Sequence, residues 1–221
     1  MLCALICVLL ASCQTAKKSQ PNDVFTVNLN SPQYQIGEVD FQTNPPLGIG
    51  KIKIMTVPVL YFPNEDAVVI KLRYEYTTFH QCWNKDGRKG FIDALQKYNE
   101  DYDIRSLGLK GRKAKRCYGT VNGWLIWQQA AFTVRASGDI KIELGYTFKD
   151  KAPYFTANQL SAEYVDRNSR NRNRSSPVMP IYFTRAQASR LAAIFDQGFI
   201  DGLNISSMPV ILPETQKDDW N

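Results

Sequence analysis

The chain has 221 residues, of which 44% are hydrophobic and 12% aromatic, enough for one sizeable domain with its own core. Its formal charge of +6 is compatible with anionic lipid, nucleic acid or acidic polysaccharide as partner. One histidine among few cysteines leaves no structural zinc site without further ligands.

Met1 to Leu10 is an uncharged apolar run. A bilayer-spanning helix needs about 20 apolar residues, whereas the apolar part of a signal peptide has roughly 7–15. Ala11, Ser12 and Cys13 follow. The order Leu10-Ala11-Ser12-Cys13 resembles the lipobox of bacterial lipoproteins. The resemblance covers only these first residues. It implies cleavage before Cys13, a signal peptide of residues 1–12, and acyl chains on Cys13. No positive charge precedes the run, and a start upstream of Met1 would supply one. Gln14 after the modified cysteine resembles the outer-membrane class of the enteric sorting rule. The implied location is the bacterial cell envelope, lipid-anchored, outer membrane before inner, and that compartment argues against nucleic acid. Residues 13–33 read as a polar tether, in which Lys17 and Lys18 would lie near headgroups.

With Cys3 and Cys7 in the signal and Cys13 the anchor, Cys82 and Cys117 remain for the fold. In an oxidising compartment they are a candidate disulfide; the alternative is two free thiols.

The first strand expected is Tyr34 to Phe41, broken by Asn44-Pro45-Pro46-Leu47-Gly48. Lys51 to Phe62 changes phase between Ile54 and Val57, as a β-bulge does, and Pro58 favours an edge position. Val68, Ile70, Leu72, Tyr74 and Tyr76 alternate with Lys71, Arg73 and Glu75, the pattern of a half-buried antiparallel strand. Phe91, Ala94, Leu95, Tyr98 and Tyr102 recur at helical spacing, predicting a helix from Arg88 to about Arg105. A basic stretch follows, with Lys110, Arg112, Lys113, Lys115 and Arg116.

The β signal returns at Gly123, with Trp124, Ile126, Ala130, Phe132 and Val134 sharing one parity. Ile140, Ile142, Leu144, Tyr146 and Phe148 share another, and Tyr154 to Val165 reads as a third strand. Short turns between them imply an antiparallel meander. Arg167, Arg170, Arg172 and Arg174 then occupy a polar stretch read as an exposed loop. Thr184-Arg185-Ala186-Gln187 is a capping box. The helix behind it buries Ala188, Leu191, Ile194, Phe195 and Phe199 and ends at Gly198 or Gly202.

The expected architecture is α+β: an antiparallel, curved sheet or partial barrel with two packed helices, one domain over residues 34–205, and a flexible tail over 206–221. No catalytic constellation is visible. His80 stands alone, no nucleophile, metal or phosphate-binding motif occurs, and no cofactor is expected. Glu65-Asp66 and Asp101/Asp103 read as solvated, and Asn204-Ile205-Ser206 as a coincidental glycosylation sequon. The two basic stretches are candidate contacts for an anionic lipid or acidic envelope partner. Tyr74, Tyr76, Trp124, Trp127, Tyr146 and Tyr154 read as core; the alternative is a ligand-binding concavity lined by rings. The expectation is a non-catalytic envelope lipoprotein with a binding or structural role. An envelope hydrolase acting on wall or lipid, and a carrier of lipid or small ligands, are the alternatives.

Overall fold

The computed structural model describes residues 25–44, 53–74, 76–108, 117–129, 135–165 and 173–211. Ten strands and three helices follow in the order β1 (Tyr34–Thr43), β2 (Lys53–Phe62), β3 (Ala67–Tyr74), β4 (Thr77–Trp83), α1 (Lys85–Asp103), β5 (Cys117–Gln129), β6 (Ala136–Lys149), β7 (Ala152–Gln159), β8 (Glu163–Val165), β9 (Asn173–Ser175), β10 (Met179–Phe183), α2 (Arg185–Phe195) and α3 (Gln197–Asp201).

The α+β class and the antiparallel sheet are as expected, but the sheet is a closed barrel and not a partial one. Each strand from β1 to β6 pairs with the next, β7 pairs with β10, and β10 closes on β1. The closing ladder is Gln42↔Tyr182 and Thr43↔Ile181. β8 and β9 form a separate hairpin inserted between β7 and β10.

Alternation sets what faces inward. Val39 and Phe41 of β1, Val68, Ile70 and Leu72 of β3, and Ile140, Ile142 and Leu144 of β6 are all buried in the interior. An eight-stranded barrel is just wide enough for side chains to fill. Both long helices follow strands that run to the same end, α1 after β4 and α2 after β10, and there they complete the core. Phe91 of α1 lies between the rings of Phe155, Phe183 and Phe195 at centroid distances of 5.3, 6.0 and 5.2 Å. Gly90 permits this closeness, because a Cβ there would collide with Val121 of β5.

Several local expectations change. The bulge lies in β1, where the register slips between Gln35 and Gly37, and β2 runs unbroken opposite it. β2 is not an edge strand, but its ladder with β3 extends only from Val59 to Phe62; Pro58, with no N–H to give, sits just beyond it. Trp124 and Ile126 face outward, and Leu125 and Trp127 of β5 face the core. Residues 130–134, expected to extend that strand, lie outside the described residues, as does most of each basic stretch. The third predicted strand is β7 followed by the short β8. Helix α2 ends at Phe195 because Asp196 takes extended geometry and caps α3, accepting from the Phe199 N–H at 3.1 Å. Gly202 caps α3, and Phe199 is 40% exposed.

The outer wall carries its main apolar patch where the chain covers it, and Ile54 of β2 stands exposed outside that patch. Val27 packs on Leu60, Phe62, Val69, Cys82 and Ile126, flanked by Phe25 and Leu29. Ile211 donates its N–H to the Gln33 carbonyl at 2.9 Å, so residues 27–33 of the stretch read as tether and Ile211 at the start of the tail contribute to the folded unit. Elsewhere Glu38, Asp40, Arg73, Asp139, Lys141 and Glu143 take the outward positions. Polar outside and apolar inside is the inverse of a membrane barrel. No described helix is long and apolar enough to cross a bilayer.

Candidate functional site

The barrel interior is committed to packing. Its buried amides satisfy one another: Trp83 Nε1 donates to Gln81 Oε1 at 3.1 Å, Gln81 Nε2 to Gln159 Oε1 at 3.1 Å, and Gln159 Nε2 to the Pro177 carbonyl at 3.4 Å. The aromatics that could have lined a concavity are dispersed. Trp127 and Tyr146 belong to the interior, Trp124 lies on the outer wall beneath the N-terminal segment, and Tyr76 is 77% exposed in a turn. His80 is half-buried on the outer wall, in register with Lys71 and Ile126.

The carboxylates read as solvated are structural ties. Asp66 binds the Arg88 guanidinium at 2.9 Å, and Arg88 is only 1% exposed. Arg88 also donates to the Asp66 carbonyl at 2.7 Å and to Gln197 Oε1 at 2.9 Å, joining the β2–β3 turn, α1 and α3. Glu65 Oε1 accepts from Ser31 Oγ at 2.7 Å and holds the N-terminal segment. Asp101 accepts from Ser106 Oγ and Tyr118 OH, both at 2.8 Å. Arg185 forks onto Asp103 at 2.7 and 2.9 Å, linking α2 to the end of α1. Each of these carboxylates is tied into the architecture through at least one oxygen, while Glu65 Oε2 is buried with no hydrogen-bond partner.

The candidate disulfide is not formed. Cys82 and Cys117 are both free, the first buried and the second exposed. Cys82 sits opposite Trp124 on β5, so Cys117 is displaced by about 20 Å along that strand. A disulfide needs Cα atoms within about 7 Å. Burial, with Glu65 adding to it, pushes the Cys82 thiol well above its ordinary range, so it stays protonated.

The basic stretches are rooted apart. Gly108 donates its N–H to Tyr146 OH at 3.0 Å, and Cys117 pairs with Gly145, so the first stretch leaves from the distal part of β6. The second joins β8 to β9, and β8 rests against Gly138 at the start of β6. Roots seven residues apart on one strand are separated by about 23 Å. Lys110, Arg112, Lys113, Lys115, Arg116, Arg167, Arg170 and Arg172 lie outside the described residues; Arg174 lies in β9, paired with Tyr164.

A site that the sequence did not announce lies on the outer wall of β5 and β6. It is a groove of about 890 Å³ with Phe25 and Leu160 in its lining. Asp86 from the first turn of α1, Asn122 from β5, Asp139 and Lys141 from β6, and Glu163 from β8 reach it. The local causes are plain. Asn84 caps α1 by accepting from the Gly87 N–H at 2.8 Å, which sets the first helical turn, and with it Asp86, at the rim. Asn122↔Lys141 and Trp124↔Asp139 are cross-strand pairs, so these side chains share the outward face. Gly138 admits the chain carrying Glu163, because a Cβ there would stand 2.6 Å from the Glu163 carbonyl oxygen. Residues so far apart in the chain leave no motif. The only signal in sequence is the polar parity of β6. Among the described residues no set of three or more His, Cys, Asp and Glu side chains could hold a metal ion.

A family model described as "Uncharacterised Treponema protein" matches residues 12–202. No curated protein and no solved structure matches the chain.

Proposed function

We propose that this chain, which belongs to the family described as uncharacterised Treponema protein, is a lipid-anchored protein of the bacterial envelope whose barrel has a binding or structural role without catalysis. The observation that carries the reading is the order Leu10-Ala11-Ser12-Cys13 followed by a polar stretch to Asp23. A bacterial genus in the family's description suits a bacterial lipoprotein. The barrel supports the non-catalytic part: its interior is filled by its own side chains, and its partner-facing chemistry is on the outer wall. Acyl chains contribute roughly 0.8 kcal/mol per buried methylene, and two or more chains hold a protein firmly.

Membrane fractionation of wild type and Cys13→Ala tests the anchor. The wild type should stay with the membranes and the variant should move to the soluble fraction. Equal release of both would end the lipoprotein reading.

A further inference from the structure

We infer that Cys117 is a capture site for small amino-acyl disulfides, those of cysteine and of short cysteinyl peptides, at a second groove on the outer wall of β6, β7 and β10. The groove holds about 390 Å³. Its frame is one row of paired residues that crosses the sheet: Cys117↔Gly145, Gly145↔Thr156 and Thr156↔Tyr182. Phe155 and Ala157 of β7 face the core, so Thr156 and Asn158 face outward. Gly145 has no side chain, which leaves a hollow between the Cys117 thiol and the Tyr182 ring. Their strands lie three intervals apart, about 14 Å. Glu143, paired with Asn158, occupies the neighbouring outward row. The register slips between Cys117 and Gly119, and the Cys117 thiol donates to the Gly119 carbonyl at 3.2 Å, which holds the sulfur at the rim.

Thr156 marks this hollow as more than a solvated surface. It is 3% exposed, and its hydroxyl has no hydrogen bond within the chain. Thr43, Gln81, Arg88, Gln159 and Ser176, the other described polar and charged residues at or below 4% exposure, each have a partner. A hydroxyl so enclosed is destabilising until something bonds it. The lining selects what does. Thr156, Asn158 and Tyr182 each donate and accept, which suits amide and carboxylate groups. Glu143 is the one charged side chain in the lining and suits an ammonium. Ammonium beside carboxylate or amide is the amino-acyl unit, and the volume falls at the small end of the range for organic ligands, about 300–1,000 Å³. Cys117, exposed and reduced, supplies the reaction with sulfur. Its thiolate, the proton released to water, attacks one sulfur of the ligand disulfide. A bond forms between that sulfur and Cys117 Sγ, the ligand's own S–S bond breaks, and the departing half leaves as a thiolate that takes up a proton. The Cys117 sulfur is oxidised and the departing sulfur reduced.

The test follows adduct formation on the full chain carrying Cys13→Ala. Trypsin cuts after Arg116, so the peptide from Cys117 to Arg135 has no other cysteine and its mass reports the adduct. The reagents are the disulfide of cysteine and the disulfide of 2-mercaptoethanol, which lacks ammonium and carboxylate. Each native rate is divided by the rate in the urea-unfolded chain, which cancels the reagents' own reactivity. That ratio should be about tenfold higher for the cysteine disulfide. Glu143→Gln with Thr156→Val should abolish the preference and leave the mercaptoethanol reaction unchanged. Asp150→Asn, a carboxylate lost outside the groove, should preserve it. Thr156→Val exchanges an unbonded hydroxyl for a methyl of similar size, so the thermal midpoint should hold. The assignment is overturned by equal ratios for the two disulfides, which would leave only an exposed thiol, by a preference that survives the double variant, or by its loss in Asp150→Asn. A lowered midpoint in Thr156→Val overturns it too, because the hydroxyl would then already be bonded. The chain is read free of membrane, so this outcome and that of the fractionation are independent.

Discussion

Arg88 concentrates more of the fold than any other polar side chain described. It is almost wholly buried, yet Asp66 is 43% exposed on its side-chain surface. Removing the guanidinium leaves a carboxylate that water can reach, so the cost falls below the 3–5 kcal/mol of a fully buried broken pair. Arg88→Met should destabilise by about 2–3 kcal/mol in urea unfolding. Asp66 has a positive φ of 44°, which Asn tolerates and β-branched residues do not. Asp66→Asn should therefore cost less than Asp66→Val; equal costs would show that the charge and not the turn governs this position.

Titration also belongs to the residue scale. Burial raises Tyr98, with the Tyr102 phenol adding to it, and burial foremost raises Tyr61. A raised folded value means the native state holds its proton more tightly than the unfolded chain. The stabilisation is complete below the unfolded values, about 8.5 for Cys and 10 for Tyr, and is lost as pH rises above them toward the folded values. The urea midpoint should fall progressively above pH about 9. Tyr98→Phe should flatten that decline while losing the bond to the Pro153 carbonyl at 3.2 Å, worth about 1 kcal/mol at neutral pH. The free cysteines differ likewise: a thiol reagent should modify Cys117 in the native protein and Cys82 only on unfolding, and reductant should leave the thermal midpoint unchanged.

At the scale of elements, periodicity was readable where it depended on one face and misleading where two faces are apolar. The helix α1, the alternation of β3 and β6, and the Thr184 capping box are visible in the sequence because neighbours three, four or two residues apart create them. In β5 both faces are covered, one by the core and one by the segment around Val27, so the parity of Trp124 and Ile126 points outward. The start of α3 depends on a single φ/ψ choice at Asp196 that periodicity does not encode. Thr184 Oγ1 accepts from the Gln187 N–H at 3.3 Å, and the Gln187 side chain accepts from the Thr184 N–H at 2.9 Å. Thr184→Ala should thus cost about 1 kcal/mol. Gly138→Ala should cost more, about 2 kcal/mol, because backbone and not a flexible side chain opposes the added Cβ. Equal midpoints for wild type and Gly138→Ala would show that the hairpin can shift freely.

Closure of the barrel belongs to the whole molecule and was not legible locally. Strands that follow one another announce their pairing through short turns. β1 meets β10 across nearly the whole domain, and nothing in either strand names the other. The groove was hidden for the same reason, since Phe25, Asp86, Asn122, Asp139 and Glu163 come together only once the barrel is built. That seam is also thinly made. Beyond its short ladder it relies on Thr43 Oγ1 donating to the Pro180 carbonyl at 3.0 Å, on Lys149 bonding Asn44 at 3.0 Å, and on α2 packing beside Gly37. The Arg190–Asp40 pair at 3.8 Å is exposed and adds little. By contrast β5 and β6 are paired continuously from Gly119↔Leu144 to Trp127↔Ala136. Local opening begins where long-range contacts are fewest. In native-state hydrogen exchange, the amides of β10 and the end of β1 should exchange well ahead of those in Val121–Ile126 and Ile140–Leu144. Thr43→Val removes one seam bond, worth about 1 kcal/mol or roughly fivefold, and should speed seam exchange by that factor. If opening at the seam is local, the slowest β5–β6 amides should change by less; if every amide accelerates equally, the seam opens only with the whole barrel, and closure is the last contact holding one cooperative unit.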